Sequence, residues 1–443
     1  MPAEHCGSAT EEAMALLVKS LLAETSFQVA TDFLEALLAD YPRRDFQVRL
    51  WDGTTWGTEK QALFTLVLKH TGALRAMFLS PSELTLGEAY IYDDFDIEGD
   101  VEAAFELADY LLGQEHSVWE SFDLRERLQK LPASDHAQAG LHPIKLRGPV
   151  HSRDRDRQAV TYHYDLPDEF YALWLDQRMV YSCAYFNTPE EDLDTAQERK
   201  LDYICGKLRL RPGERLLDIG CGWGGLIMHA AAHYGVHAVG ITLSVPQAER
   251  ARQRLLESGL NDRCRVEVAD YRDIDHGQQY DKLVSVGMFE HVSEAFLPEY
   301  FGRAWDLLRP GGVFLNHGIA HSAMYRRRGP SFIDHYVFPD SELVPISASL
   351  RAAELKGFEV RDVESLREHY ALTLHHWVRR LEAHAEEARR ITDDTTYRIW
   401  RLYMAGAAHR FRSGRLNVYQ TLLAKPLHGE TGLPLTREDW YRA

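Results

Sequence analysis

The feature that most constrains this chain is the run Leu216-Leu217-Asp218-Ile219-Gly220-Cys221-Gly222-Trp223-Gly224-Gly225. An apolar stretch ends in an acid, glycines alternate, and a helix-compatible segment, Leu226 to His233, follows at once. This is the layout of a strand, a tight turn and a helix start. Glycine has no Cβ, so the backbone there can approach a ligand closely. The turn suits a nucleotide-like cofactor, and the rest of the chain has to say which.

Around the turn, from about Val160 onward, strand and helix patterns alternate. Strands are expected at Arg215–Ile219, Val236–Ile241, Arg265–Ala269, Asp281–Val286 and Val313–Gly318, with Phe358–Val363 and Val418–Ala424 finishing the sheet. Helices are expected at Gly224–His233, Val245–Ser258 and Pro298–Leu308. Such alternation implies a mostly parallel, seven-stranded, Rossmann-like α/β sheet with helices on both faces. Two further helical stretches, Leu372–Arg389 and Thr396–Phe411, fit a helical cap better than a simple crossover.

The N-terminal third reads differently. Glu11 to Tyr41 has helical spacing. Phe46, Val48 and Leu50 alternate with polar residues before the turn signal Asp52-Gly53, so a hairpin is expected. Gln61 to Lys69 reads as a strand, Pro81-Ser82-Glu83-Leu84 as a helix start and Val118 to Leu131 as a helix. The expected organisation is a small α+β domain over 1–131, a linker over 132–159 that holds the charge-dense Arg153 to Arg157, and a catalytic domain over 160–443.

A net charge of −17 argues against a general nucleic-acid binder. Five cysteines without a CxxC pair read as reduced thiols, with neither a disulfide framework nor a zinc site. The N-terminus lacks a signal-peptide pattern, and no apolar run approaches the roughly 20 residues that span a bilayer. The expectation is a cytoplasmic protein whose membrane contact, if any, is peripheral.

A dinucleotide would need an acid about 20 residues past the glycines, at the end of the second strand. That strand ends Ile241-Thr242-Leu243-Ser244, with no carboxylate, and the loop lacks the lysine of a P-loop. S-adenosylmethionine (SAM) fits better. Gly220, Gly222 and Gly224 at a helix start suit its carboxylate. Asp218 suits its ammonium or a nearby donor, Thr242 and Gln247 its ribose, and Asp270-Tyr271 its adenine.

Further segments belong with these: His163-Tyr164-Asp165-Leu166-Pro167, Tyr181-Ser182-Cys183-Ala184-Tyr185-Phe186, Gly287-Met288-Phe289-Glu290-His291-Val292, Asn316-His317-Gly318-Ile319, Tyr336-Val337-Phe338-Pro339 and His369-Tyr370-Ala371-Leu372-Thr373-Leu374. From Val160 to the C-terminus the set resembles the cyclopropane fatty acid synthases and their relatives, the mycolic acid cyclopropane synthases. The N-terminal module is similar to the extra domain of the phospholipid-acting bacterial enzymes.

The resemblance implies SAM-dependent methylation of a cis double bond in an unsaturated phospholipid of the bilayer. A carbocation then loses a proton to a bound bicarbonate ion, and a cyclopropane ring closes. It adds Tyr181 and Ser182 to the cofactor contacts. It places bicarbonate among Cys183, Glu290, His317, the Ile319 backbone and Tyr370. Glu290 would accept the bicarbonate hydroxyl proton or orient His317, and Cys183 would offer its backbone or a weak S–H donor. A homodimer is also implied.

Blander readings stand beside these. Cys183 alone suits a small buried apolar residue. Trp223 and Tyr164 suit core packing as well as cofactor contact. Arg326-Arg327-Arg328 suits a solvated run as well as a lipid-headgroup contact, and Phe332, Tyr336, Val337 and Phe338 suit core as well as acyl-channel wall. The alternatives for function are a lipid methyltransferase that leaves a methyl branch or methylene, a small-molecule methyltransferase, and a non-catalytic lipid-binding protein. What favours function is position: Asp218, Thr242, Asp270, Glu290 and His317 all fall at or just past predicted strand ends, where open parallel sheets bind ligands.

Overall fold

The computed structural model describes residues 26–43, 45–58, 62–113, 122–133, 146–164, 166–275, 277–324 and 331–441. The expected basic run Arg326-Arg327-Arg328, Asp165 and much of the N-terminal helical stretch lie outside these residues. The chain forms two compact units, Met1–His142 with Gly329–Phe332, and Pro143–Arg328 with Ile333–Ala443.

In the N-terminal unit a helix over 26–37 buries Ala30, Phe33, Leu34 and Leu37, one face at helical spacing. Strands β1 (Phe46–Arg49) and β2 (Thr55–Gly57) form the hairpin that Asp52-Gly53 predicts. They join β3 (Phe64–Leu68) and β4 (Phe95–Gly99) in a sheet ordered β2-β1-β3-β4. Ser82 caps the next helix, its side chain accepting from the Thr85 N–H. β4 has no counterpart among the sequence expectations. Its Phe-Asp-Ile-Glu-Gly is short and acidic, and it becomes a strand by pairing along β3 with Phe95 and Ile97 turned inward. Phe332 belongs to this unit, where its ring abuts Gly87.

In the C-terminal unit the sheet holds β5 (Arg215–Ile219), β6 (His237–Thr242), β7 (Cys264–Val268), β8 (Tyr280–Val286), β9 (Leu308–His321), β10 (Glu359–Ser365) and β11 (Leu416–Ala424). Their order is β10-β11-β9-β8-β5-β6-β7. The strands from β9 to β7 pair in parallel, and β11 runs antiparallel to both of its neighbours. All seven expected strands are present. β9 runs well past its expected bounds because β11 pairs with it from Val313 to His321. The buried central strands carry Leu216, Leu217, Leu283, Val284, Phe314 and Leu315, each fully covered.

The charge-dense stretch expected in the linker is a helix, Arg153–Tyr164. Its charges are matched: Arg155 pairs with Asp340, Asp156 with Arg272 and Arg153 with Asp273. The expected Leu372–Arg389 helix is two, Arg367–Ala383 and Ala385–Ile391, broken at His384. The Asp394–Arg412 helix is capped by Asp393 and buries Trp400, Met404, Ala405, Ala408 and Phe411.

Candidate active site

The glycine turn joins β5 to the Gly225–Tyr234 helix. Gly220, Gly222 and Gly224 have φ of +89°, +52° and +80°, a left-handed path that favours glycine. A Cβ on Gly222 would meet no atom within 4 Å, so that position opens onto free space. Gly224 does not line the cleft. It is the helix N-cap, and a Cβ there would press on Ala251 at 3.3 Å, so its work is helix packing.

The turn borders an open cleft at the C-terminal ends of the parallel strands. Nine of the ten expected cofactor contacts line it: Tyr181, Ser182, Asp218, Gly220, Gly222, Thr242, Gln247, Asp270 and Tyr271. Thr242 Oγ1 donates to Gln247 Oε1 at 3.1 Å, which fixes both side chains. Asp270 is held by Arg272, whose Nε and Nη2 donate at 2.8 and 2.6 Å. Trp223 and Tyr164 pack against aromatic neighbours and also line the cleft. Trp223 Nε1 donates to Asp168 at 2.7 Å.

Asp218 is 2 % exposed, and its Oδ1 is buried without a partner. Burial lifts its carboxyl from the usual 3.8 to about 7, against the pull of Lys200. An unsatisfied buried acceptor at the end of a central strand is what an ammonium ligand would satisfy.

The five residues expected around an anion do not line this cleft; the loops that line it lead to them. Ser182 precedes Cys183, and Gly287 and Met288 precede Glu290. The loop after β8 is docked on β9. Gly287 N donates to His317 O at 3.0 Å, and Ile319 N donates to Glu290 Oε1 at 2.8 Å. Glu290 Oε2 is buried with no partner, and burial raises the carboxyl to about 7. Gln420 Nε2 lies 3.3 Å from His317 Nδ1. In that amide orientation Nδ1 accepts, and the ring proton sits on Nε2. Burial holds His317 far below its ordinary range, so the ring is neutral.

Cys183 is fully buried, its thiol facing the carbonyls of Ala184 and Leu366 at 3.2 and 3.7 Å. Of the two expected offers, the S–H is spent on these carbonyls. The amide N–H of Cys183 has no acceptor among the described residues. Tyr370 is buried, and burial raises its hydroxyl well above the usual range, with lesser contributions from Tyr403, Cys183, Glu290 and Tyr164. The buried Tyr370 hydroxyl lies within electrostatic reach of both Cys183 and Glu290, in a dry region.

Its walls are aromatic. His163 meets Phe338 at 3.9 Å, Tyr181 meets Trp377 at 5.2 Å, and Phe338 meets Tyr403 at 5.5 Å. Val337 O holds His163 Nδ1 at 2.9 Å. Sequence reasoning passed over Lys200, Asp156, Arg272 and His291, all of which line the cleft. Lys200, in a helix, reads as solvated and only the tertiary fold buries it, while Asp156, Arg272 and His291 stay partly exposed.

A seven-stranded sheet of this order with a glycine turn and an open acceptor at β5 defines a Rossmann-like methyltransferase domain. Residues 151–421 match the family described as Mycolic acid cyclopropane synthetase, and the chain belongs to that family. Residues 33–116 match a domain of unknown function. A probable fatty acid methyltransferase of Pseudomonas putida is 41% identical over 89% of this chain and 96% of its own. The tuberculostearic acid methyltransferase UfaA1 of Mycobacterium tuberculosis is 38% identical over 62% of this chain and 67% of its own. The solved mycolic acid cyclopropane synthase CmaA1, complexed with S-adenosylhomocysteine (SAH) and CTAB, superposes with a TM-score of 0.57 at 36% identity, covering 60% of this chain and 97% of that one. The protein is a SAM-dependent methyltransferase of the cyclopropane and fatty acid methyltransferase family.

Proposed function

We propose that this enzyme adds a methylene group to the cis double bond of an unsaturated phospholipid acyl chain, closing a cyclopropane ring, and that it meets its lipid as a peripheral protein. The observation that carries the reading is Glu290, with one oxygen on the Ile319 amide and the other buried and free. The unpartnered Cys183 amide and the neutral His317 ring would supply donors. Acceptor and donors together suit bicarbonate, which carries both a hydroxyl and an oxyanion.

The cleft residues named above would hold SAM, which would supply an electrophilic methyl group, and Glu290, Cys183, His317, the Ile319 backbone and Tyr370 would hold bicarbonate, which would supply a base. The chain's own part is to position and to shield. An alkene is a poor nucleophile, so reaction needs a dry site and close approach. Tyr164, Tyr181, Phe338 and Trp400 exclude water and offer π faces that favour positive charge on the acyl chain. Glu290 fixes the orientation of the proton acceptor.

The test is mass spectrometry and NMR of vesicles of monounsaturated phospholipid after incubation with enzyme and SAM. A gain of one CH₂ unit, with the alkene signal lost and upfield ring protons gained, is expected. The same mass gain with a branched-methyl or methylene signal would support the alternative, a lipid methyltransferase that closes no ring. Unchanged lipid with SAH still bound would point to another acceptor.

A further inference from the structure

Lys200, on the Leu193–Leu208 helix, lines the cofactor cleft at 1 % exposure. An ammonium has three N–H donors. One goes to Ser182 Oγ at 2.9 Å, and no described residue accepts the others. The carboxylates near it do not pair with it. Asp176 is committed to backbone, accepting from Val180 N at 2.7 Å and Arg178 N at 2.9 Å. Asp218 lines the same cleft with Oδ1 unpartnered, and the two side chains form no ion pair although each feels the other's charge. A lone buried charge is costly. Two opposite charges left apart in one cleft match a ligand that bears both signs, and the amino-acid end of SAM does.

We infer that Lys200 holds the α-carboxylate of the cofactor while Asp218 takes its α-ammonium, so that the cleft reads the amino-acid end as a zwitterion. This rests on the assignment of the cleft to SAM. The glycine amides then assist the carboxylate and are not its only anchor. Burial lowers the Lys200 ammonium to about 8, and a bound carboxylate would hold its proton.

The experiment is calorimetric binding of SAH and of decarboxylated SAH, which keeps the ammonium, to wild type and Lys200→Met. Wild type is expected to prefer SAH by about ten- to hundredfold, the range of a charge-assisted bond. Lys200→Met is expected to lose most of that preference while binding the decarboxylated analogue as before. An unchanged preference in Lys200→Met would overturn the inference alone. So would a variant that keeps the preference but loses a response of turnover to added bicarbonate, since Lys200 would then serve the neighbouring anion. A wild type that does not bind SAH would remove the cofactor assignment as well. Should Lys200→Met fail to fold, the wild type still decides at about pH 8.5. There SAH binding should take up most of one proton more than the analogue, well beyond the small fraction by which the free α-ammonium of SAH is deprotonated at that pH. Asp176, Asp218, Cys183 and His317 surround Lys200 in both cases. Equal uptake would overturn the inference.

Discussion

Glu290 and Ile319 are joined by a 2.8 Å bond from a strand amide to one carboxylate oxygen, and the other oxygen is left buried and unpaired. The carboxyl is thus oriented by the sheet and free at its other oxygen. Replacing it with glutamine keeps the size and an acceptor for Ile319 but changes the free side.

Glu290→Gln should lower turnover by about a hundredfold or more, the scale for removing one oriented polar group from a dry site. SAH affinity should stay within about twofold, because Glu290 does not line the cofactor cleft. Stopped assays and calorimetry on the same sample check this; equal loss of binding would reassign Glu290 to the cofactor.

Gly222→Val should abolish measurable SAH binding. The position has φ of +52°, strained for a branched residue, and a side chain there would project into open space beside the turn. Retained binding with a normal melting curve would show that the turn does not hold the cofactor.

Two buried carboxyls should each make a contribution to the stability of the ligand-free protein that is lost between about pH 4 and pH 7, against the buried histidines such as His317, which act with the opposite sign. Burial raises Asp218 from 3.8 and Glu290 from 4.5, both to about 7. At these two groups the folded state binds protons more tightly than the unfolded state across that window, and their contribution declines as pH rises through it. Thermal melts of wild type beside Asp218→Asn and Glu290→Gln test the sign. Each variant's stability should change more positively with pH than that of wild type across that window, and parallel curves would refute it. Turnover should move the other way, rising through about pH 7 as Glu290 ionises.

Thr373 tests the support of the Cys183 loop. Its Oγ1 accepts from Ala184 N at 3.0 Å and donates to His369 O at 2.7 Å. Thr373→Val strands a buried N–H, which costs about 1–3 kcal/mol. Urea melts should show that loss, and turnover should fall more than SAH affinity. An unaffected turnover would mean that the loop is held from elsewhere.

Much of the catalytic unit was legible because its signals are local. Leu216 to Gly225 announces strand, turn and helix within ten residues, and the other parallel strands are apolar runs bounded by turns. β4 was not legible, since Phe95–Gly99 is a strand only by virtue of its pairing with β3. The helix Arg153–Tyr164 was hidden for the opposite reason. Its alternating charges look solvated until Asp340, Arg272 and Asp273, far along the chain, neutralise them. The same blindness covered Lys200, whose burial no local pattern announces. The grouping of Cys183, Glu290, His317, Ile319 and Tyr370 came from resemblance, because nothing in their spacing brings together residues from two loops, a strand and a helix.

Trp223 sits inside the glycine turn at 2 % exposure, tethered to Asp168 and 4.9 Å from the Tyr171 ring. An indole so placed in the wall of the cleft is a native fluorophore. Arrival and departure of the cofactor should change its emission in real time, without a label, and Trp223→Phe would silence that signal while the eight other tryptophans keep shining.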